Sequence, residues 1–404
     1  MKESYRMFIA SPNVYISLGR QGVLFFDVDS GEYVKTKETQ HVAFAKAIMS
    51  KATRAVRCAV FAGHVESEFM ELLVKKRLGI ICSSNAVPYS HVFQPFEYVV
   101  DDIARWRSIG EYALLRQAAP QLLSELTVYV SNQCSRSCPH CHYLYKQVRC
   151  CNKHGSGLMC PSMLGELLRD AQTTALGRVH LVVPPDQLHQ CVDEYGKVVS
   201  DLGFKYDIWT VWNANMPTPA FSQCDCELKF VVPLLDGCYS DMKLENGAVV
   251  YHFCVASEAD LDVVNELIDR SPGANVALHP VFNGENGVFL LSNVLLSEDD
   301  IVQQRIGMRG VIRNKRLNAN TFGELCVFAN GEVKAAPYSA SLVNVTNVTL
   351  SYCAYVELSR SDSLWLKTRR TVEACADCLY VDLCPPPMSI EAEGTLERLC
   401  NVGS

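Results

Sequence analysis

The chain has 404 residues, which at about 150 residues per domain is enough for two or three domains with a sizeable core. Hydrophobic residues make up 49% and charged residues 20% of the sequence, so wholesale disorder is excluded. The formal net charge of −7 argues against a large basic surface for nucleic acid or anionic lipid. Because no segment has the apolar core of a signal peptide or a membrane span, we expect a cytoplasmic protein without nucleic-acid or membrane partners.

Residues 1–85 are predicted to form a small α+β domain. Two helices are expected, at 39–50 and 66–76, after three short strands. This layout resembles the winged-helix leader-recognition domain of ribosomal peptide modification systems, and a generic small α+β domain is the alternative. The predicted strands are Asn13–Ser17, Val23–Asp27 and Glu32–Lys35.

A proline-containing connector with one helix, residues 86–122, is predicted to lead into a region of alternating strands and helices at 123–315. Alternation of this kind indicates a parallel sheet. We therefore expect an α/β fold with a partial (β/α)6 barrel like that of the TIM barrel, followed by a cysteine-rich domain at 316–404. The predicted strands are Leu126–Ser131, Val179–Val183, Tyr206–Trp212, Glu227–Val232, Val249–Val255 and Val276–Phe282.

The most specific motif directly follows the first strand of this region. Cys134, Cys138 and Cys141 are separated by three and then two residues, so one tight loop supplies three thiolates. Barrels of this kind place their chemistry at the end of the strands where this loop lies. Three thiolates on a four-iron cluster leave one iron open to a small molecule. The alternative is a structural zinc site completed by His140 or His142.

The run N-x-C-x-x-x-C-x-H-C after a strand resembles that of the radical S-adenosylmethionine enzymes that modify ribosomally made peptides. The resemblance implies a [4Fe-4S] cluster on Cys134, Cys138 and Cys141, with S-adenosylmethionine on the fourth iron. It further implies that one electron, from a donor such as flavodoxin or ferredoxin, cleaves this cofactor to a 5′-deoxyadenosyl radical. That radical would abstract hydrogen from the substrate, while the protein orients the reactants and excludes water.

The chain departs from this family at the end of the second strand. The family has a Gly-Gly-Glu-Pro segment there that contacts the methionine amino group, whereas this chain has Val182-Val183-Pro184-Pro185-Asp186. Glycines let a backbone approach a ligand closely, and prolines remove backbone donors. The departure counts against binding of S-adenosylmethionine. Asp186 either replaces the missing acid or, as we expect, caps the following helix.

Three further cysteines, Cys150, Cys151 and Cys160, follow the first motif in a Gly/Ser-containing segment. They either relay electrons, bind another ligand or are extra thiols on a mobile loop. We expect the last of these.

The C-terminal region carries a second cysteine motif. Four thiolates can close the coordination of a four-iron cluster or of zinc. The spacing C-x-x-C-x(5)-C with a distant fourth cysteine resembles the SPASM-type auxiliary-cluster domain of many peptide-modifying members of the same superfamily. The resemblance implies one auxiliary [4Fe-4S] cluster, with zinc as the alternative, on Cys375, Cys378, Cys384 and Cys400.

A domain of that type commonly holds a second auxiliary cluster, but its ligands are absent from this chain. Ala336 and Met388 occupy two positions where the resemblance implies cysteines, and no cysteine lies between Val311 and Cys326. We therefore expect one auxiliary cluster and not two. Cys326 is expected to pack within its strand.

The two cysteine motifs together, with Trp365 and Arg369-Arg370 ahead of the second, resemble the radical and pseudo-radical maturases of Bacteroidales peptide systems. The resemblance implies an enzyme that modifies a ribosomal precursor peptide. The alternative is a non-catalytic iron–sulfur or zinc protein that binds the precursor peptide or a partner maturase. The first motif favours the enzyme and the Val182–Asp186 segment favours the alternative. Of the two, we expect the enzyme.

Overall fold

The computed structural model of the chain shows a mixed α/β fold whose largest sheet has nine strands, so the predicted fold class is confirmed at this level. None of the helices in the described part of the chain is long and apolar enough to cross a membrane. The structure describes residues 6–50, 58–61, 64–83, 99–134, 138, 140–151, 157–213, 226–234, 239, 242–247, 249–345, 348–392 and 400–402.

The N-terminal part contains two three-stranded antiparallel sheets, with strand orders β5-β1-β6 and β2-β3-β4. In the second sheet, Val14 and Phe25 face a core formed with α1 and α2, while Tyr15 and Phe26 face the opposite side. Strands that are apolar on both faces need cover on both faces. The elements are β1 (Arg6–Ala10), β2 (Val14–Gly19), β3 (Gly22–Asp27), β4 (Tyr33–Thr36), α1 (Thr39–Ile48), β5 (Cys58–Phe61), α2 (His64–Lys75) and β6 (Gly79–Ser83).

The nine-stranded sheet contains six parallel strands, β7 to β12, in the same order as along the chain. Strand β13 joins β7 in parallel on the other side, and β14 and β15 continue the sheet as an antiparallel hairpin. The elements are β7 (Glu125–Tyr129), β8 (Arg178–Val182), β9 (Lys205–Val211), β10 (Glu227–Pro233), β11 (Val249–Val255), β12 (Asn275–Pro280), β13 (Glu324–Val327), β14 (Glu332–Lys334) and β15 (Ser341–Asn344).

The two faces of this sheet carry different side chains, because successive residues of a strand point to opposite sides. One face, with Leu126, Val128 and Leu181, packs against the connecting helices in the main core. The other face, here called the inner face, carries Tyr129 and Trp209 in a separate buried cluster. This second cluster contains several cysteines and positions the candidate site.

Helices connect the strands and complete the C-terminal part. The predicted single helix of the connector is two helices, α3 and α4, because Gly110 between them has a φ of 76° in the left-handed region. The helices are α3 (Val99–Ile109), α4 (Tyr112–Ala118), α5 (Cys141–Gln147), α6 (Pro161–Ala171), α7 (Leu188–Cys191), α8 (Lys197–Asp201), α9 (Glu258–Arg270), α10 (Gly287–Asn293), α11 (Glu298–Gln303), α12 (Met308–Arg316), α13 (Leu350–Ser359) and α14 (Ser389–Ala392).

Candidate functional site

The first cysteine motif lies at the carboxyl edge of the parallel sheet, between β7 and α5. Cys134 and Cys138 are half-buried, and Cys141 is the first residue of α5. His140 has a φ of 53°, so the backbone makes a left-handed turn just before this helix. Residues 135–137 and 139 of the motif lie outside the described residues. The turn at His140 thus sets where Cys141 enters the helix.

The three predicted ligands lie around one buried thiol. Cys134 and Cys138 pack against the inner-face cluster that contains Tyr129 and Val182, the last residues of β7 and β8. Burial raises the pKa of the Cys150 thiol well above its usual value, and nearby sulfurs raise it further, namely those of Cys254, Cys141, Cys138 and Cys134. The three cysteines of the motif therefore lie within electrostatic range of the Cys150 thiol.

Cys150 and Cys151 are buried beside the motif, with 4% and 3% of their surface exposed. The Sγ of Cys151 lies 3.0 Å from the Sγ of Cys134. The prediction of mobile loop thiols is wrong for these two residues, because their side chains fill the inner-face cluster. Cys160 is exposed, and its Sγ lies 3.1 Å from the hydroxyl of Ser162.

The segment after β8 offers few backbone donors to a ligand. The N–H of Val183 donates to the carbonyl of Trp209 at 2.9 Å, which extends the pairing of the sheet. Pro184 and Pro185 are buried and have no N–H. Asp186 lies in a 3₁₀ turn and Gln187 precedes α7, so the predicted helix cap at Asp186 is wrong.

An ion network that the motifs do not reveal crosses the inner face. Fully buried Asp207 accepts hydrogen bonds from Nδ1 of His180 at 2.7 Å and from Nζ of Lys229 at 3.0 Å. The indole N–H of Trp209 also donates to Asp207, at 2.7 Å. Burial alone would raise the pKa of the Asp207 carboxyl, but His180 and Lys229 outweigh it and hold this pKa well below its usual range.

Arg149 extends this network from the cysteine region to two strands. Its Nη2 lies 3.1 Å from Oε2 of Glu125 on β7 and 3.0 Å from Oε2 of Glu324 on β13. Burial opposes the charge of Arg149, but Glu324 and Glu125 outweigh it and raise its pKa. Because Arg149 directly precedes Cys150, these ion pairs fix the backbone next to the buried thiols.

A histidine pair lies on the same face, on β11 and β12. Nδ1 of His252 is 2.7 Å from Nε2 of His279, and Nε2 of His252 is buried without a hydrogen-bond partner among the described residues. Burial, with smaller contributions from His279 and Lys229, lowers the pKa of His252 to about 3. Burial and Arg149 also lower the pKa of His279. The pair is therefore neutral near pH 7.

The pKa of Cys384 in the second motif responds to the other three cysteines of that motif. Burial raises the pKa of Cys384 to about 12, and the positive charge of Arg369 opposes this shift. The sulfurs of the other three cysteines raise the same pKa further, in the order Cys378, Cys400 and Cys375. A cavity of about 90 Å³ beside Arg369 is lined by Cys384 and Cys400. The structure thus brings all four predicted ligands within electrostatic reach of one another.

Hydrogen-bond donors surround these sulfurs, and such donors stabilise thiolates at metal sites. The side chain of Arg369 is itself held by Glu391 through two hydrogen bonds of 2.9 and 3.1 Å. The donors are Nη1 of Arg369 to Cys375 at 3.7 Å, the N–H of Tyr380 to Cys378 at 3.4 Å and the N–H of Val402 to Cys400 at 3.3 Å.

Within the part of the chain that the structure describes, no group of three or more His, Cys, Asp or Glu side chains is placed to hold a metal ion. A single zinc ion needs thiolate sulfurs at about 2.3 Å from one centre. A cubane instead distributes its protein ligands over different irons, so its ligand sulfurs stand farther apart. Cysteine sulfur, the donor that both motifs supply, is the protein ligand that such a cluster uses.

No family model matches the chain. No curated protein matches it either. Among solved structures, the chain is similar to crystal structures of Streptococcus suis SuiB, alone, bound to S-adenosylmethionine and bound to precursor peptide SuiA. Sequence identity is 12% to the first two and 13% to the third, the TM-score is 0.38 in each case, and 93% of this chain and 94% of that chain are covered. A TM-score this low carries no argument about function.

Proposed function

We propose that the chain is a radical S-adenosylmethionine enzyme that modifies a ribosomally made precursor peptide. The observation that supports this most is the position of the first motif at the carboxyl edge of the parallel sheet, where Cys134 and Cys138 pack against the buried inner-face cluster and Cys141 begins α5. Parallel α/β barrels bind their ligands at this edge. The six parallel strands in unbroken chain order support the further proposal that this sheet curves into a partial barrel.

Cys134, Cys138 and Cys141 would hold a [4Fe-4S] cluster and leave one iron for S-adenosylmethionine. When bound, these groups supply the one-electron chemistry that removes a hydrogen atom from the peptide. The chain itself surrounds the site with the buried side chains of Tyr129 and Val182, which exclude water. Low water access protects reactive species during such chemistry.

Cys375, Cys378, Cys384 and Cys400 would hold one auxiliary [4Fe-4S] cluster with every iron ligated. The positive charge of Arg369 and the two backbone N–H donors would offset the negative charge of this site. Zinc on the same four cysteines is the alternative for this site. The alanine and methionine at positions 336 and 388 support a single auxiliary cluster.

The remaining parts of the chain would serve the peptide. We propose that residues 1–85 bind its leader as an added strand on an open edge of one of the two antiparallel sheets. Residues 86–122 would connect this domain to the barrel at 123–315, and residues 316–404 would form the auxiliary-cluster domain. A flavodoxin or ferredoxin would deliver the electron.

The second candidate is a non-catalytic protein of the same architecture that binds the peptide or a partner maturase. The buried Pro184 and Pro185 favour it, because they remove the backbone donors that would bind the methionine group of S-adenosylmethionine.

Anaerobic reconstitution separates the two candidates. We expect about eight irons per chain, from two four-iron clusters, and formation of 5′-deoxyadenosine with dithionite and S-adenosylmethionine. About eight irons without nucleoside would support the non-catalytic protein. Zinc without sulfide would contradict both cluster assignments.

A triple variant of the first motif tests which residues hold the first cluster. Cys134→Ala, Cys138→Ala and Cys141→Ala together should remove about four irons and all nucleoside formation, and leave about four irons on the second motif. The matched control is Cys160→Ala, which changes an exposed cysteine outside the buried cluster. Equal iron content in the triple variant and the control would show that the first motif holds no cluster.

A further inference from the structure

Cys151 makes a direct contact with the first predicted ligand of the first motif. Its Sγ lies 3.0 Å from the Sγ of Cys134, as donor and acceptor of a hydrogen bond. Cys151 is not part of the motif, since it follows Cys134 by 17 residues. The contact therefore brings a second thiol to a sulfur that would be bound to iron.

The chemistry of the two sulfurs decides which of them donates. A metal is bound by a thiolate, so Cys134 in its proposed role has no hydrogen to donate and can only accept. A second negative charge beside it would be costly, because Cys151 is buried with 3% of its surface exposed. Cys151 therefore stays a thiol and supplies the hydrogen of the pair.

Packing and ion pairs hold Cys151 in this position. Its side chain belongs to the buried inner-face cluster. Two residues earlier in the chain, Arg149 binds Glu125 on β7 at 3.1 Å and Glu324 on β13 at 3.0 Å. A donor that is already fixed loses little conformational freedom when its hydrogen bond forms, so more of the energy of that bond is retained.

A hydrogen bond to a ligand sulfur acts on the reduction potential of an iron–sulfur cluster. Reduction adds one negative charge, and a donor to a sulfur stabilises the more negative form more strongly. Burial acts in the opposite direction, because surroundings of low polarity disfavour added charge. Cys134 packs against a buried cluster, so a donor on its sulfur offsets part of this cost.

We propose that Cys151 is a positioning residue of the first cluster, whose thiol donates a hydrogen bond to the Cys134 sulfur and thereby raises the reduction potential of that cluster. The proposal rests on the first cluster of the proposed function. The neighbouring Cys150 is buried to the same degree, at 4% exposed, but its thiol has no hydrogen bond to another described residue. The role therefore belongs to Cys151 and not to Cys150.

The test is a redox titration of the reconstituted full chain, followed by EPR. The signal that the parent chain shows and the triple variant of Cys134, Cys138 and Cys141 lacks belongs to the first cluster. Cys151→Ala should make the reduction of this cluster less favourable by about threefold to tenfold in the equilibrium constant. Tenfold corresponds to about 59 mV for a one-electron couple.

Two further variants separate the hydrogen bond from the loss of volume. Cys151→Ser keeps a hydroxyl donor at this position and should restore most of the reduction potential. The matched control is Cys150→Ala, which removes a sulfur at the same depth but leaves the donor to Cys134 in place. Its reduction potential should equal that of the parent chain, and all three variants should contain about eight irons.

A spectroscopic signature tests the hydrogen itself. After reconstitution in D2O, pulsed ENDOR of the reduced first cluster should detect an exchangeable hydrogen that is lost in Cys151→Ala and kept in Cys150→Ala. A reduction potential of Cys151→Ala equal to that of the parent would overturn the assignment. Equal shifts in Cys151→Ala and Cys150→Ala would overturn it as well.

The same preparations are assayed for 5′-deoxyadenosine, so the two proposals fail separately. A shift specific to Cys151→Ala without nucleoside formation by the parent chain supports the role of Cys151 and contradicts radical chemistry. Nucleoside formation without such a shift contradicts the role of Cys151 alone. A parent chain with no more iron than the triple variant lacks the first cluster, which overturns both.

Discussion

The sulfur of Cys134 has two competing partners, the iron of the proposed cluster and the sulfur of Cys151. The two Sγ atoms lie 3.0 Å apart, longer than the ~2.05 Å of a disulfide bond but in direct contact. In the reduced chain the Cys134 thiolate is available to iron. Oxidation would instead commit it to its neighbour, because little movement separates the pair from bonding distance.

We predict that diamide, a two-electron oxidant of thiols, links Cys134 to Cys151 in the metal-free chain. The two thiols lose two hydrogen atoms to diamide, which becomes the hydrazine, and one S–S bond forms. Subsequent reconstitution should then yield about four irons in place of about eight, with recovery after dithiothreitol. Cys151→Ser should keep full iron uptake after diamide, whereas Cys160→Ser should behave like the parent. Peptide mapping without a Cys134–Cys151 link would contradict the prediction.

The neutral His252 makes stability depend on pH. Its folded-state pKa of about 3 lies below the usual value of about 6.5, so on acidification the unfolded chain takes up a proton before the folded chain does. The contribution of neutral His252 to the free energy of unfolding is complete above about pH 6.5 and is lost as the pH falls towards 3. His252→Gln should reduce the dependence of the free energy of unfolding on pH, between about pH 6 and 4, by up to about one proton. Urea titrations of the metal-free chain at several pH values measure this dependence. The control is His189→Gln, which changes an exposed histidine. The same slope of the free energy of unfolding against pH in His252→Gln and the parent chain would contradict the prediction.

Neighbouring strands carry polar residues at one level of the inner face. His180 on β8 is paired in register with Asp207 on β9 and Thr127 on β7. Register places opposite charges side by side there, in a region from which water is excluded. Buried ion pairs of this kind penalise any other register, because a shift by one residue would move each charge to the opposite face.

Asp207→Asn should therefore destabilise the chain by about 1.5–3 kcal/mol, because it removes the buried carboxylate between His180 and Lys229 and leaves them only the more exposed carboxylates of Glu125 and Glu227. The amide is isosteric, so the loss reports charge and not volume. Urea unfolding followed by circular dichroism measures the change in the free energy of unfolding. Asp201→Asn, at an exposed position, should have little effect, and a similarly small effect of Asp207→Asn would show that the network does not stabilise the fold.

The sequence predicts the parallel strands of the sheet and the position of Cys134 after β7, because both follow from local alternation along the chain. The contact of Cys151 with Cys134 was not predictable, since it depends on how α5 packs back against the sheet. The Asp207 network depends on register between strands that are distant in sequence. Its only local signal is a polar residue inside an apolar strand, such as His180 in β8.

The first and last parts of the chain share one core. Tyr15 and Phe26 of the β2-β3-β4 sheet are buried in a cluster with Leu379 and Tyr380 from the second cysteine motif. The hydroxyl of Tyr380 lies 3.1 Å from Oε2 of Glu298, at the start of α11. The loop that presents the C-terminal cysteines is therefore supported by the N-terminal sheet, and the leader-binding and cluster-binding parts of the proposed enzyme are packed together.

Gly19 at the end of β2 sets the closest approach of these two parts. At Gly19 the β2-β3-β4 sheet meets the loop between Cys375 and Cys378. A Cβ at this position would overlap the carbonyl of Asp377. Gly19→Ala should push this loop away, lower the melting temperature and, in the triple variant of the first motif, reduce iron below about four atoms. Gly177→Ala, where a Cβ has room, is the matched control.

Arg20→Ala should have a small effect, since the 2.7 Å Arg20–Asp377 ion pair is exposed. Wild-type iron content and melting in Gly19→Ala would show that the cluster loop does not depend on the N-terminal sheet.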